Sequence, residues 1–107
     1  MELTESDNLE LRLLKETETI IINKDDEIEL IVKALSSSTR RQILHQIQNT
    51  PLDVSNIAAN LKMTEANISA QIKKLEEAGL INCDYRSGQH GVRKISSLKH
   101  KQLIIKF

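Results

Sequence analysis

Aromatic side chains are almost missing from this 107-residue chain, with Tyr85 and Phe107 the only two. A core therefore has to be assembled from Ile, Leu, Val and Ala. Cysteine is reduced to Cys83, which excludes an internal disulfide and suits a reducing, cytoplasmic setting. Proline occurs once, at Pro51, and glycine three times, at Gly79, Gly88 and Gly91, so each is a boundary marker. No apolar run approaches the ~18 residues a bilayer-spanning helix needs, and the acidic opening lacks a signal-peptide pattern. No membrane association is expected. There is no internal repeat and no low-complexity linker, and the length suits one domain.

The formal net charge is zero, but it is unevenly spread. Residues 1–35 hold ten acids and four bases (−6), and residues 36–107 hold five acids and eleven bases (+6). No acid follows Asp84, whereas Arg86, Arg93, Lys94, Lys99, Lys101 and Lys106 do. Such a split points to a positive surface for a polyanion.

Residues 52–80 organise the rest. Asp53 is placed to N-cap a helix, with Leu52 before it and Ile57 where a hydrophobic staple falls. Val54, Ile57 and Leu61 mark one face of that helix. Thr64 is placed to cap a second helix, whose Ile68, Ile72 and Leu75 recur at i, i+4 and i+7. Gly79 ends it. The opposite face carries Ala66, Ala70 and Lys73, with Asn67, Ser69 and Lys74 on its flanks.

That face suits a DNA major groove, because small side chains permit close approach while amides and hydroxyls meet base edges. Base readout is expected from Ala66, Asn67, Ser69 and Ala70, with Asn67 bonding bidentately to adenine and an alanine methyl meeting the thymine methyl. Lys62, Thr64, Lys73 and Lys74 are the expected backbone contacts. Gln71 lies nearer the buried flank. The competing reading is a solvated face on an ordinary helix pair.

Around this stretch the chain reads in order. Residues 1–16 alternate charge with leucine and suit either an extended arm or a loose helix. Residues 17–23 are β-branched and favour a strand. Asp25 or Asp26 can cap a helix carrying Ile28, Ile31, Val32 and Leu35. Ser36–Ser38 breaks it and caps the next, which carries Ile43, Leu44 and Ile47 and ends near Asn49. After Gly79 the period changes: 80–86 reads as a strand, 87–91 as a glycine-bounded loop and 92–97 as the returning strand. Residues 102–107 are a further strand candidate, expected to pair with 17–23 within one chain or across two and to make the dimer surface with residues 1–16 and the 25–35 helix, or else to extend the wing sheet. Three helices, a recognition-type helix and a basic hairpin make a mainly α fold with a small β wing, the winged helix-turn-helix arrangement of the α+β class. Residues 1–24 form an arm available for dimerisation. Residues 25–107 form the winged domain, with the wing at about 80–97 and Arg86, His90 and Arg93 as its expected backbone contacts.

Two segments also resemble a known family. Residues 34–44, Ala-Leu-Ser-Ser-Ser-Thr-Arg-Arg-Gln-Ile-Leu, resemble the Ala-Leu-x-x-x-Thr-Arg-x-x-Ile-Leu signature of ArsR-type winged-helix regulators. Residues 66–81 are similar to that family's recognition helix and its Leu-x-x-x-Gly-Leu exit. The resemblance spans roughly 25–97 and implies a dimeric, prokaryotic regulator that binds DNA. Metal-sensing members place paired cysteines in the helix before the recognition helix, and Val54–Leu61 has none. A second familiar metal site needs a C-terminal helix rich in His and carboxylates, where this chain has an apolar strand. That helix also commonly makes the dimer, so residues 1–24 and 98–107 have to supply the contact or leave a monomer. The apolar end 103–107 equally fits one domain of something longer.

Chemistry for catalysis or metal binding is sparse. Cys83, His90 and His100 lack a zinc-ligand spacing, and Cys83 with His90 lacks an oxyanion-hole signal. Cys83 reads as a packing residue or, if exposed, a redox-sensitive thiol. No enzyme, metal or cofactor is expected. The expected partners are double-stranded DNA and a second copy of the chain. The alternative is a winged-helix protein-interaction module in a transcriptional or other macromolecular assembly, which an apolar exposed face on residues 64–78 would favour.

Overall fold

The computed structural model describes residues 9–15, 18–89 and 91–107. A hairpin of β1 (Glu10–Lys15) and β2 (Glu18–Ile22) leads into α1 (Asp25–Leu35) and α2 (Ser38–Gln46). Then come the short β3 (Leu52–Asp53), α3 (Val54–Leu61) and α4 (Glu65–Glu77). Strands β4 (Ile81–Gly88), β5 (Gly91–Leu98) and β6 (Gln102–Lys106) complete the described order. The arrangement is a winged helix-turn-helix, with β3, β5 and β4 forming the wing sheet in that order.

The helix boundaries follow local chemistry. Ser37, Asp53 and Thr64 each accept a hydrogen bond from the backbone N–H three residues on, capping α2, α3 and α4. The expected cap at Asp25 or Asp26 is not used. Lys24 occupies the N-cap of α1 without a side-chain bond, and Asp25, Asp26 and Glu27 lie inside the first turn, where the dipole favours them. At the far end of α4, Gly79 N–H bonds Glu76 O at 3.0 Å and Leu80 N–H bonds Leu75 O at 3.1 Å. This is a Schellman motif, and the φ of +77° at Gly79 is what it requires.

One stripe from each helix meets in the core: Ile28 and Ile31 from α1, Ile43 from α2, Ile57 from α3, and Ile68, Ile72 and Leu75 from α4. Both aromatic residues stand outside it, exposed. The wing ladder runs from Ile81↔Leu98 out to Gly88↔Gly91, longer than the strands expected from sequence. Gly91, at φ +105°, lets pairing continue to the tip, leaving only residues 89–90 between the strands.

Within the chain, the apolar strands at its two ends neither pair directly with each other nor extend the wing sheet. Strands β2, β1 and β6 form a separate antiparallel sheet with β1 at its centre, from the segment that periodicity leaves undecided between arm and helix. Leu11 and Leu13 of β1 face the helices and are buried in the same core. Burial explains the choice, because a central strand fills both ladders and hides its leucines while β2 and β6 take the edges. An apolar cavity of about 280 Å³ remains between this sheet and the helices, lined by leucines 13, 35, 44, 80, 98 and 103 together with His45 and His100.

Candidate nucleic-acid interface

The caps that start α3 and α4 also orient the turn between them. Lys62 adopts φ +56°, the left-handed conformation, so the chain reverses sharply before Met63 and Thr64. Helix α4 then buries Ile68, Ile72 and Leu75 and leaves Ala66, Asn67, Ser69 and Ala70 exposed together. Lys73 and Lys74 continue that outward surface, and Lys62 is exposed at the turn. Among the described residues no carboxylate pairs with Lys62, Lys73, Lys74 or Arg86. Thr64 Oγ1 is engaged as the α4 cap, accepting from Asn67 N–H at 3.1 Å.

An open cleft of about 730 Å³ separates the start of α4 from the wing. Glu65 and Ser69 line one wall, Val54 and Ser55 the floor, and Gly88, Gln89, Val92 and Arg93 the other wall. Arg86 and Arg93 lie opposite each other in the ladder, so both project from one face of the wing. Their surroundings differ. Arg86 is open to solvent, whereas Arg93 donates through Nε to Asp53 Oδ2 at 2.6 Å and pairs with the same oxygen through Nη2. His90, expected at the wing tip, lies outside the described residues.

Asp53 is a structural centre of this site that sequence reading recognises only as a cap. Its carboxylate is held below the usual carboxylate range, mainly by the Asn56 backbone N–H and further by Arg93, against the opposing effect of burial. Lys94, absent from the expected contacts, is tied to the α4 end by Glu76 at 3.7 Å and sits 5.8 Å from the Tyr85 ring centroid.

A second arrangement has no counterpart among the expected contacts. Arg40, in the first turn of α2, donates to Ala34 O at 2.7 Å and Lys33 O at 2.9 Å, the last carbonyls of α1. Its Nη1 reaches Gln71 Oε1 in α4 at 2.7 Å. Arg41 adds a bond to Leu35 O at 2.7 Å. Arg40 and Arg41 thus act as donor caps on the C-terminal end of α1. An arginine just after a helix break could have signalled the cap, but the partner thirty-one residues away could not have been read.

Cys83 is half-buried against Ser96, and burial pushes its thiol up. No group of three His, Cys, Asp or Glu side chains converges among the described residues. No helix among them is long and apolar enough to cross a membrane.

Residues 37–82 match the family model described as bacterial regulatory protein, arsR family. Among solved structures, the homodimeric winged helix-turn-helix DNA-binding domain Mb0332 from Mycobacterium bovis, a possible ArsR-family transcriptional regulator, is 27% identical with a TM-score of 0.61. That match covers 68% of this chain and 64% of the other. HlyU from Vibrio cholerae, in its reduced form, is 22% identical over 68% of this chain and 73% of its own, with a TM-score of 0.59, and supports the fold. The ArsR family transcriptional regulator RHA00566 is 27% identical over 70% of this chain and 78% of its own, with a TM-score of 0.59. No curated protein matches the chain significantly.

Proposed function

We propose that this chain, an ArsR-type winged helix-turn-helix across residues 37–82, binds double-stranded DNA sequence-specifically and regulates transcription as a homodimer. The observation that carries the reading is the exposed, small and polar face of α4 beside lysines that no carboxylate neutralises, across an open cleft from an arginine-bearing wing. A helix entering a major groove needs that combination of close approach, hydrogen-bonding groups and unpaired positive charge. Ala66, Asn67, Ser69 and Ala70 would meet base edges, and Lys62, Lys73, Lys74 and Arg86 would meet phosphates. Thr64 contributes chiefly by capping α4, and Arg93 by seating the wing through Asp53.

The homodimer reading rests on the described homodimeric state of the Mycobacterium bovis domain and on exposed apolar residues of this chain. Ile20, Ile21, Ile104 and Ile105 of the terminal sheet, with Leu30 and Val32 of α1, lie open to solvent. Both sheet edges, β2 and β6, are unpaired within the described residues. A protein-interaction role for α4 is disfavoured because its exposed face carries no large apolar side chain. Selection of bound sites from random duplex DNA, with sizing of the complex, tests the reading. A recurrent near-palindrome is the expected result, and unselective binding without salt dependence would overturn it.

A further inference from the structure

We infer that Arg40 and Gln71 form a relay that fixes which end of the Asn67 amide faces DNA, making Asn67 a hydrogen-bond donor to bases. The inference rests on the DNA-binding reading of α4 and names a specificity device within it. Arginine has donors only, so its bond from Nη1 to the Gln71 side chain obliges Gln71 to turn its oxygen toward α2. The Gln71 amide nitrogen then points along the helix and donates to Asn67 Oδ1 at 3.1 Å. With its oxygen engaged, Asn67 presents Nδ2, which meets only the weak acceptor Met63 Sδ at 3.8 Å.

The orientation of each amide follows from the group before it, starting at a side chain that cannot reverse its polarity. Arg40 is itself anchored on the carbonyls of Lys33 and Ala34, so the start of the relay does not move with α4. Neither Arg40 nor Gln71 needs to touch DNA; both are positioning residues.

The consequence is chemical. An Asn with both ends available bonds adenine bidentately, through N6 and N7. With one lone pair of Oδ1 taken by Gln71 and the amide turned by that bond, Nδ2 is the end presented to bases. It suits acceptor edges, guanine N7 and O6, thymine O4 or adenine N7, over cytosine, which offers only its N4 amino group.

Gln71→Glu separates this from a merely structural role. The carboxylate of that variant keeps the bond to Arg40 but has no donor for Asn67, so the Asn67 amide reverses and offers its oxygen outward. Binding-site selection from random duplex DNA is run with the full chain, Gln71→Glu and Asn67→Ala. The wild type is expected to disfavour cytosine at one position, on the order of tenfold. Asn67→Ala identifies that position by losing the preference. Gln71→Glu should bind all duplexes more weakly through its added charge, yet raise cytosine at that position, because an outward Oδ1 accepts from its N4 amino group.

An unchanged base preference in Gln71→Glu overturns the relay and leaves DNA binding standing. A wild type that selects no sequence overturns the DNA reading and the relay with it. Side-chain amide NMR of the free full chain gives a readout apart from DNA. The Asn67 amide resonances should shift in Gln71→Glu, and their constancy would count against the relay.

Discussion

Arg93 on the wing donates through two nitrogens to Oδ2 of Asp53, forty residues earlier, while Asp53 Oδ1 accepts from Asn56 N–H at 2.8 Å. One carboxylate therefore starts α3 and seats the wing beside the recognition helix. The Asp53↔Ile95 pairing puts both partners against the same sheet.

Asp53→Ala is expected to destabilise the fold by about 2 kcal/mol, since it removes a cap and leaves Arg93 unpaired. Asp53→Asn keeps an acceptor for Asn56 N–H and should cost less, about 1 kcal/mol. The pH dependence follows in sign. The native carboxylate is depressed, so the unfolded chain binds more protons in acid. This stabilisation is present above about pH 4, the unfolded value, and is lost as pH falls through the lower native value. Urea titrations from pH 7 to pH 3 should show that loss in the wild type and little of it in Asp53→Asn.

His100 acts in a different window. Its Nδ1 is buried with no hydrogen-bond partner among the described residues, and burial first, then Lys99 and Lys15, holds its pKa below the ordinary histidine value against the pull of Glu18. A depressed base loses stability as pH falls below about 6.5, because the unfolded chain takes up the proton first. His100→Gln should flatten the stability profile between about pH 6.5 and the native value. An unchanged slope there would exclude the assignment.

The left-handed positions at the ends of α3 and α4 give opposite predictions. Gly79 has room for a Cβ, so Gly79→Ala should cost about 1 kcal/mol through φ alone. Lys62 already bears that cost, and Lys62→Gly should stabilise by about 1 kcal/mol. If Lys62 meets a phosphate, the same variant should bind all duplexes more weakly. Thermal unfolding and DNA titration of both variants would reveal the trade.

On DNA, Asn67→Ala should cost roughly 1–3 kcal/mol on the preferred site and much less on random duplex. Charge removal at Lys73, Lys74 or Arg86 should weaken all duplexes alike and flatten the salt slope by about one unit for each phosphate no longer neutralised. Arg93→Gln is expected to lower stability and flatten the slope less than Arg86→Gln, since Asp53 already neutralises it. Equal losses for Asn67→Ala on both duplexes would remove its base-reading role.

For assembly, deleting residues 1–24 is the wrong test, because it would strip Leu11 and Leu13 from the core. Substituting exposed residues is cleaner. Leu30→Glu with Ile21→Lys should leave the monomer folded and shift the full chain from dimer to monomer at tens of micromolar by sedimentation. A wild-type monomer under those conditions, binding a single half-site, would refute the dimer.

The features legible in the chain alone are local and close in register. Ser37, Asp53 and Thr64 cap helices because a short polar side chain reaches the N–H three residues on, whatever lies beyond. The α4 stripe and the Gly79 exit are equally local, and together with the family signature they make the helix-turn-helix readable. Packing settled the rest. Isoleucine-rich strands at the two chain ends can satisfy their ladders with many partners, and only the burial of Leu11 and Leu13 selected β1 as the strand between them. Arg93 with Asp53, and Arg40 with Gln71, are likewise invisible to periodicity. A charge or an amide declares what it can bond to, but only the folded chain brings a partner thirty or forty residues away within reach.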